Sequence, residues 1–160
     1  MPAQIEFTVR KASMNDSAII AAIHHEAFAR QQNSEQWVSA TLAASPRFFC
    51  YVVEIGAETA GYIFWAQKSG IRPEVVLELD QVAVLKKYRG MGYAEKLIRE
   101  SIMQVERLIA ESSQKIKAVL VSTRADNLAQ RLYAKILGVK TVAQIDDLYS
   151  ATEVIMIAKR

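Results

Sequence analysis

The sequence holds a single cysteine, Cys50, so no intramolecular disulfide can form and a cysteine-rich zinc site is excluded. It has only three prolines, no low-complexity tract and no internal repeat, which leaves no linker and no solenoid period. No segment approaches the roughly 18 to 20 apolar residues of a membrane span. The opening stretch, MPAQIEFTVRKASM, has no apolar run of signal-peptide length. These absences predict one domain over residues 1–160, a cytoplasmic setting and no membrane partner. A strong charge bias is also missing. Twenty Lys and Arg face 17 Asp and Glu, for a formal net charge of +3. That excess is too small for the basic stripe of a nucleic-acid binder, despite a pI near 9.0.

What is present is an ordinary globular balance, 51% hydrophobic and 23% charged residues, in a chain long enough to bury a core unaided. Residues 5–10 alternate apolar and polar, as a half-buried strand does. Asn15 or Asp16 can cap a helix carrying Ile19, Ile20, Ile23 and Ala27 at helical spacing. A second helix is expected over 34–44, ended by Ser45-Pro46. Residues 48–55 and 60–67 read as a hairpin across the turn 56–59, and 75–84 as a long strand after the loop 68–73. The clearest helix follows residue 92, with Ala94, Leu97, Ile98, Ser101, Ile102, Val105, Leu108 and Ile109 on one face. Residues 119–123 read as a strand, 125–137 as a helix capped by Gly138, and 139–146 and 152–158 as two closing strands. This intermixed order predicts a mixed sheet in a three-layer α/β arrangement, not a purely parallel doubly wound one.

The segment Arg89-Gly90-Met91-Gly92-Tyr93-Ala94 joins the long strand to the amphipathic helix. Glycines let backbone approach a ligand closely, and a helix N-terminus offers free N–H donors with partial positive charge. Lys86, Lys87 and Arg89 add formal charge. No Gly-Lys-Ser/Thr follows, so this is not a Walker A loop. A dinucleotide fingerprint needs glycine where Glu95 stands, directly after a first strand. On the loop alone, a tight strand-to-helix turn and an anion cradle both remain open.

The chain resembles the GNAT superfamily of N-acetyltransferases at two motifs in the right order. Arg89, Gly92 and Ala94 match its Arg/Gln-x-x-Gly-x-Gly/Ala, after a stretch, 79–84, similar to its fourth strand. Residues 127–138, from Asn127 through Leu132-Tyr133 to Gly138, resemble its Asn-x-x-Ala-x-x-Leu-Tyr-x-x-x-Gly helix. Val139 departs from the Phe often found there, which is a packing position. The resemblance covers nearly the whole chain. It implies a mixed, mostly antiparallel central sheet flanked by helices on both faces, and transfer of an acetyl group from acetyl-CoA to a primary amine, with no metal.

Residue by residue, the resemblance implies that backbone groups of Val82, Ala83 and Val84 bind the pantetheine arm. It implies that the amides of Arg89, Gly90, Met91, Gly92, Tyr93 and Ala94 hold the pyrophosphate, and that Asn127 contacts the coenzyme from across the cleft. Tyr133 matches the family's general acid, since a phenol can protonate a departing thiolate. An ammonium acceptor must first lose a proton. Glu78 and Asp80, at one parity on the strand entering the cleft, are the candidates to assist, or else two solvated carboxylates. A bulge is expected in that strand.

Other residues read as structural. His24 and His25 are adjacent on a helix, cannot form a metal pair, and suit a helix surface or core edge. Cys50 reads as a small buried hydrophobe. Trp37 and Trp65 read as core. Tyr149 is placed by element order where it can close the pocket. The acceptor, a small molecule or a protein amine, is expected to be shaped by the first two helices and the loop at Ile71-Arg72-Pro73. A non-catalytic acyl-CoA-binding sensor or interaction module is the competing class. A homodimer is expected by resemblance only.

Overall fold

The computed structural model describes residues 5–160. Seven strands form one sheet in the order β1-β2-β3-β4-β5-β7-β6. They are β1 (Phe7–Lys11), β2 (Phe48–Ile55), β3 (Glu58–Lys68), β4 (Glu74–Val84), β5 (Lys115–Arg124), β6 (Lys140–Ile145) and β7 (Glu153–Lys159). Every neighbouring pair is antiparallel except β4–β5, which is parallel. That exception follows from connectivity, because a helix crossover, unlike a hairpin, returns the chain in the same direction. The helices are α1 (Ser17–Ala27), α2 (Ser34–Leu42), α3 (Tyr93–Glu111) and α4 (Gln130–Leu137). The three-layer, mostly antiparallel arrangement agrees with the expectation from element order.

Each face of the sheet has its own core. On one side, α3 and α4 bury Leu97, Ile98, Val105, Ile109, Tyr133 and Leu137 against alternate residues of the strands, among them Ile63, Trp65, Leu77, Val119 and Val121. On the other, Ile20, Ile23 and Val38 of α1 and α2 cover Cys50, Val52, Tyr62, Phe64 and Ala83. The stripe read from α3 is the buried one, apart from Ala94, which is half-buried, and Leu108, which is 36% exposed. Its one hydroxyl, Ser101, lies fully buried because it accepts the indole N–H of Trp65, likewise fully buried, at 2.8 Å. Trp65 therefore belongs to the core as expected, whereas Trp37 is 48% exposed on α2 and does not.

Several boundaries differ from the sequence reading. Strand β5 spans Lys115–Arg124, twice the length read over 119–123, and β1 is shifted to Phe7–Lys11 from 5–10. Helix α2 ends at Leu42, not residue 44. Helix α4 begins at Gln130, five residues later than Ala125. The side chain of Asn127 explains the delay. Its Oδ1 accepts from the Ala129 amide at 2.9 Å and its Nδ2 donates to Thr123 Oγ1 at 2.8 Å. Asparagine has bonded its own backbone in a turn and so postponed the helix. Gly138 caps α4 with φ +71, as expected. No helix among the described residues is long and apolar enough to cross a membrane.

Replacing Ser101 with Ala strands the buried Trp65 N–H. The expected loss is about 1–3 kcal/mol, read as a lower urea midpoint at unchanged slope.

Candidate active site

The parallel ladder between β4 and β5 runs from Glu74↔Lys115 to Leu79↔Val121 and stops. Both strands continue, β4 to Val84 and β5 to Arg124, the latter still paired with β7. A gap therefore opens between residues 80–84 and 122–124. A bulge produces it. Phe64 faces Gln81 while its neighbour Trp65 faces Leu79, so Asp80 is the extra residue on β4. A bulge bends its strand and sharpens the local twist.

Beyond the bulge the backbone of β4 alternates regularly. The Leu85 amide donates to Ala60 O at 2.8 Å. That turns the polar backbone groups of Ala83 toward β3 and those of Val82 and Val84 into the gap. Of the three strand residues singled out in the sequence, Val82 and Val84 thus face the cleft with main-chain groups and Ala83 does not. Close packing fixes this wall. A Cβ on Gly61 of β3 would lie 2.7 Å from Ala83 O and 3.3 Å from Leu97 Cδ1. A lone glycine inside a strand was the available sequence signal for that approach, and it went unread.

The glycine-rich loop closes one end of the gap. Gly90 and Gly92 have φ +78 and +85, where a side chain is strained. A Cβ at either would meet nothing within 4 Å, so the space before the loop is open. The first bond of α3 runs from Lys96 N to Gly92 O at 3.1 Å. The amides of Tyr93, Ala94 and Glu95 are therefore free of helix partners, and no side chain caps them. Met91 is 60% exposed, and Tyr93 turns its ring into the core, edge-on to Phe7 and Tyr88.

The nearby cations are less available than the sequence implied. Lys87 Nζ pairs with Glu58 at 2.7 Å, and the same carboxylate accepts from Tyr88 Oη at 2.5 Å. Arg89 Nε donates to Val84 O at 2.9 Å, tying the loop to the strand end. The Lys86 amide donates to Glu26 Oε1 at 2.6 Å. The cradle consists mainly of neutral N–H donors.

Tyr133 sits on α4 against the core, 6% exposed. Its hydroxyl has no hydrogen-bond partner among the described residues, and burial raises its pKa above the usual phenol value. Asn127 contributes the brace already described, with both side-chain polar groups engaged inside its own turn.

Glu78 and Asp80 both lie on the α1/α2 face, and their surroundings separate them. Glu78 Oε2 is 2.8 Å from Lys68 Nζ. Asp80 Oδ2 is shielded from solvent with no hydrogen-bond partner among the described residues. Burial first, and the Glu78 charge second, push the Asp80 carboxyl up to about 6, with Lys68 opposing. A carboxylate so perturbed beside a cleft is a functional candidate on physical grounds. Lys68 was not singled out in the sequence, since only strand pairing brings it to Glu78.

The remaining candidates resolve as packing. His24 is fully buried, not at a surface, with Nδ1 2.8 Å from Ser34 Oγ and Nε2 2.9 Å from Gln31 Oε1. Cys50 is buried and its thiol is pushed up to about 12 by burial. Tyr149 is 74% exposed between β6 and β7. Among the described residues no group of three or more His, Cys, Asp or Glu gathers to hold a metal.

A family model described as the acetyltransferase (GNAT) family matches residues 17–139. No curated protein matches the sequence. Solved structures share the fold. The ribosomal-protein-S18-alanine N-acetyltransferase of Escherichia coli has 17% identity and a TM-score of 0.74, covering 96% of this chain and 94% of that one. Ard1 of Thermoplasma volcanium has 19% identity and a TM-score of 0.73, covering 96% and 97%. Arabidopsis thaliana NAA60, solved in complex with acetyl-CoA, has 16% identity and a TM-score of 0.74, covering 96% and 98%.

The Asp80 environment predicts a stability signature. Its folded pKa of about 6 lies above the 3.8 of the free side chain. Ionising Asp80 therefore costs stability, absent while both states are protonated and complete once the pH exceeds about 6. Asp80→Asn should exceed wild type by about 3 kcal/mol at slightly alkaline pH. Urea titrations should show that advantage closing as the pH falls below about 4.

Proposed function

The chain belongs to the GNAT acetyltransferase family, and on that premise we propose that it transfers an acetyl group from acetyl-CoA directly to a primary amine of a small molecule or a protein. The observation that carries this reading is the gap between β4 and β5, bounded by free backbone donors at one end and an unpartnered carboxylate beside it. Acetyl-CoA, when bound, supplies the activated thioester. The chain's residues fit such a ligand, because an anion needs donors without competing partners and the α3 amides have none within the helix.

Each part then has a task. The amides of Gly92, Tyr93 and Ala94, with those of Gly90 and Met91 upstream, hold the pyrophosphate. The main-chain groups of Val82 and Val84 orient the pantetheine arm along the strand, as an added strand would lie. One of these N–H groups can also stabilise the charge that develops on the carbonyl oxygen during attack. Asp80 takes the proton of the acceptor ammonium. The N–H bond breaks, an O–H bond forms at the carboxylate, and the amine lone pair is freed. A carboxyl with a pKa of about 6 suits this at neutral pH, being ionised yet more basic than an ordinary aspartate. Tyr133 donates its phenolic proton to the departing thiolate and is restored from solvent. Its lack of a competing acceptor leaves that proton available.

Two measurements test the proposal. Acetyl-CoA at 100 times its dissociation constant should stabilise the fold by about 2.7 kcal/mol, a rise in Tm of roughly 5–10 °C. No shift at millimolar acetyl-CoA would overturn the coenzyme site. Tyr133→Phe should lower thiol release with a reactive amine by about 10²-fold or more while the acetyl-CoA-induced Tm shift stays at the wild-type value. Unchanged turnover would remove Tyr133 as the acid, and absence of turnover in wild type across an amine panel would favour a binding module.

A further inference from the structure

Two carboxylates two residues apart on one strand face oppose each other's ionisation, so the pKa of one is raised. A carboxyl raised far enough is already protonated at neutral pH and cannot accept another proton. Glu78 and Asp80 stand in that relation, and the chain sets one cation against them asymmetrically. Lys68, the last residue of β3, lies across from Val76, two residues along β4 from the Ala66↔Glu78 pair. Its ammonium reaches Glu78 Oε2 at 2.8 Å. The Glu78 side chain is 13% exposed and that of Lys68 47%, so a hydrated cation covers a largely buried anion. Asp80, at the bulge beside the gap, has no such partner.

We propose that Lys68 is a positioning residue: its ammonium pairs with Glu78 and opposes the effect of that charge on its neighbour, leaving Asp80 as the carboxylate free to accept the acceptor's proton. This rests on the assignment of Asp80 as proton acceptor given above. The other groups facing Asp80 cannot substitute. From β2 the Cys50 thiol and from β3 the Tyr62 phenol both feel its charge, and burial keeps both neutral at physiological pH. Gln81 is uncharged and accepts from Tyr62 Oη at 3.1 Å. Arg47, before β2, acts on Lys68 and not on Asp80. No charged side chain of α1 or α2 acts on it among the described residues.

The test needs no acceptor. Carboxyl carbons of the purified protein are followed by ¹³C NMR from acid to neutral pH, with Asp80 assigned from the Asp80→Asn spectrum. Wild type should titrate Asp80 at about 6. Lys68→Met should raise that midpoint by about one pH unit, the usual size of losing one nearby opposite charge. Lys68→Arg should leave it in place. Lys68→Met combined with Glu78→Gln should bring it back to the wild-type value or below, because the Glu78 charge that Lys68 opposes is then gone. An Asp80 midpoint unmoved in Lys68→Met, or raised equally in the double variant, overturns the role of Lys68. Thiol release by Asp80→Asn answers the separate question: retained turnover overturns Asp80 as the proton acceptor.

Discussion

A β-strand deep in a sheet cannot leave its neighbour without exposing N–H and C=O groups that must be satisfied elsewhere. Strand β4 does leave β5, after Leu79, and the rest of the site follows from that departure. The bulge at Asp80 turns the strand, and regular pairing with β3 up to Val84 then holds the freed wall in place. Packing beneath it is dense. Gly61 admits the backbone of β4 at a distance no side chain would tolerate, and the Trp65–Ser101 bond pins β3 to α3. The main-chain groups of Val82 and the Val84 amide are thus presented by a rigid surface, the condition under which hydrogen-bond donors are worth most to a ligand or a developing charge, while Val84 O is taken by Arg89.

The two groups proposed to handle protons approach this wall from opposite layers. Tyr133 comes from α4, in the core shared with α3. Asp80 lies on the face covered by α1 and α2, where its charge reaches Cys50 and Tyr62. Both are buried enough to have raised pKa values, and neither Tyr133 Oη nor Asp80 Oδ2 has a hydrogen-bond partner among the described residues. Opposite sides of one gap are where an incoming amine and a departing thiolate would lie, so the separation of acid from base is a property of the layers themselves.

Much of this was legible in the sequence, and what was not has specific causes. Alternation in the strands and the stripe on α3 gave element order because burial on one face imposes those periods. The glycine loop announced itself because only glycine holds positive φ so readily. The start of α4 was misplaced because asparagine serves equally as a helix cap and as a turn former, and the choice depends on Thr123, four residues upstream. Exposure of Trp37 depends on which face of α2 meets α1, which nine residues with a weak apolar stripe do not decide. Glu78 was read ahead of Asp80 because the residue that occupies Glu78, Lys68, arrives only through cross-strand register. The cation cluster misled for the same reason: Glu58, thirty residues before Tyr88, had already claimed Lys87.

That internal neutralisation reaches beyond geometry. A cradle of three free cations would attract any polyanion and lose its grip as salt rises, since exposed charges are screened within about 8–10 Å at physiological ionic strength. Here Lys87 is occupied by Glu58 and the Arg89 guanidinium is turned onto Val84 O. In the proposed coenzyme site, recognition falls chiefly to oriented backbone amides at short range. Such a site discriminates by shape and donor placement more than by charge, and so loses little of its selectivity as ionic strength rises.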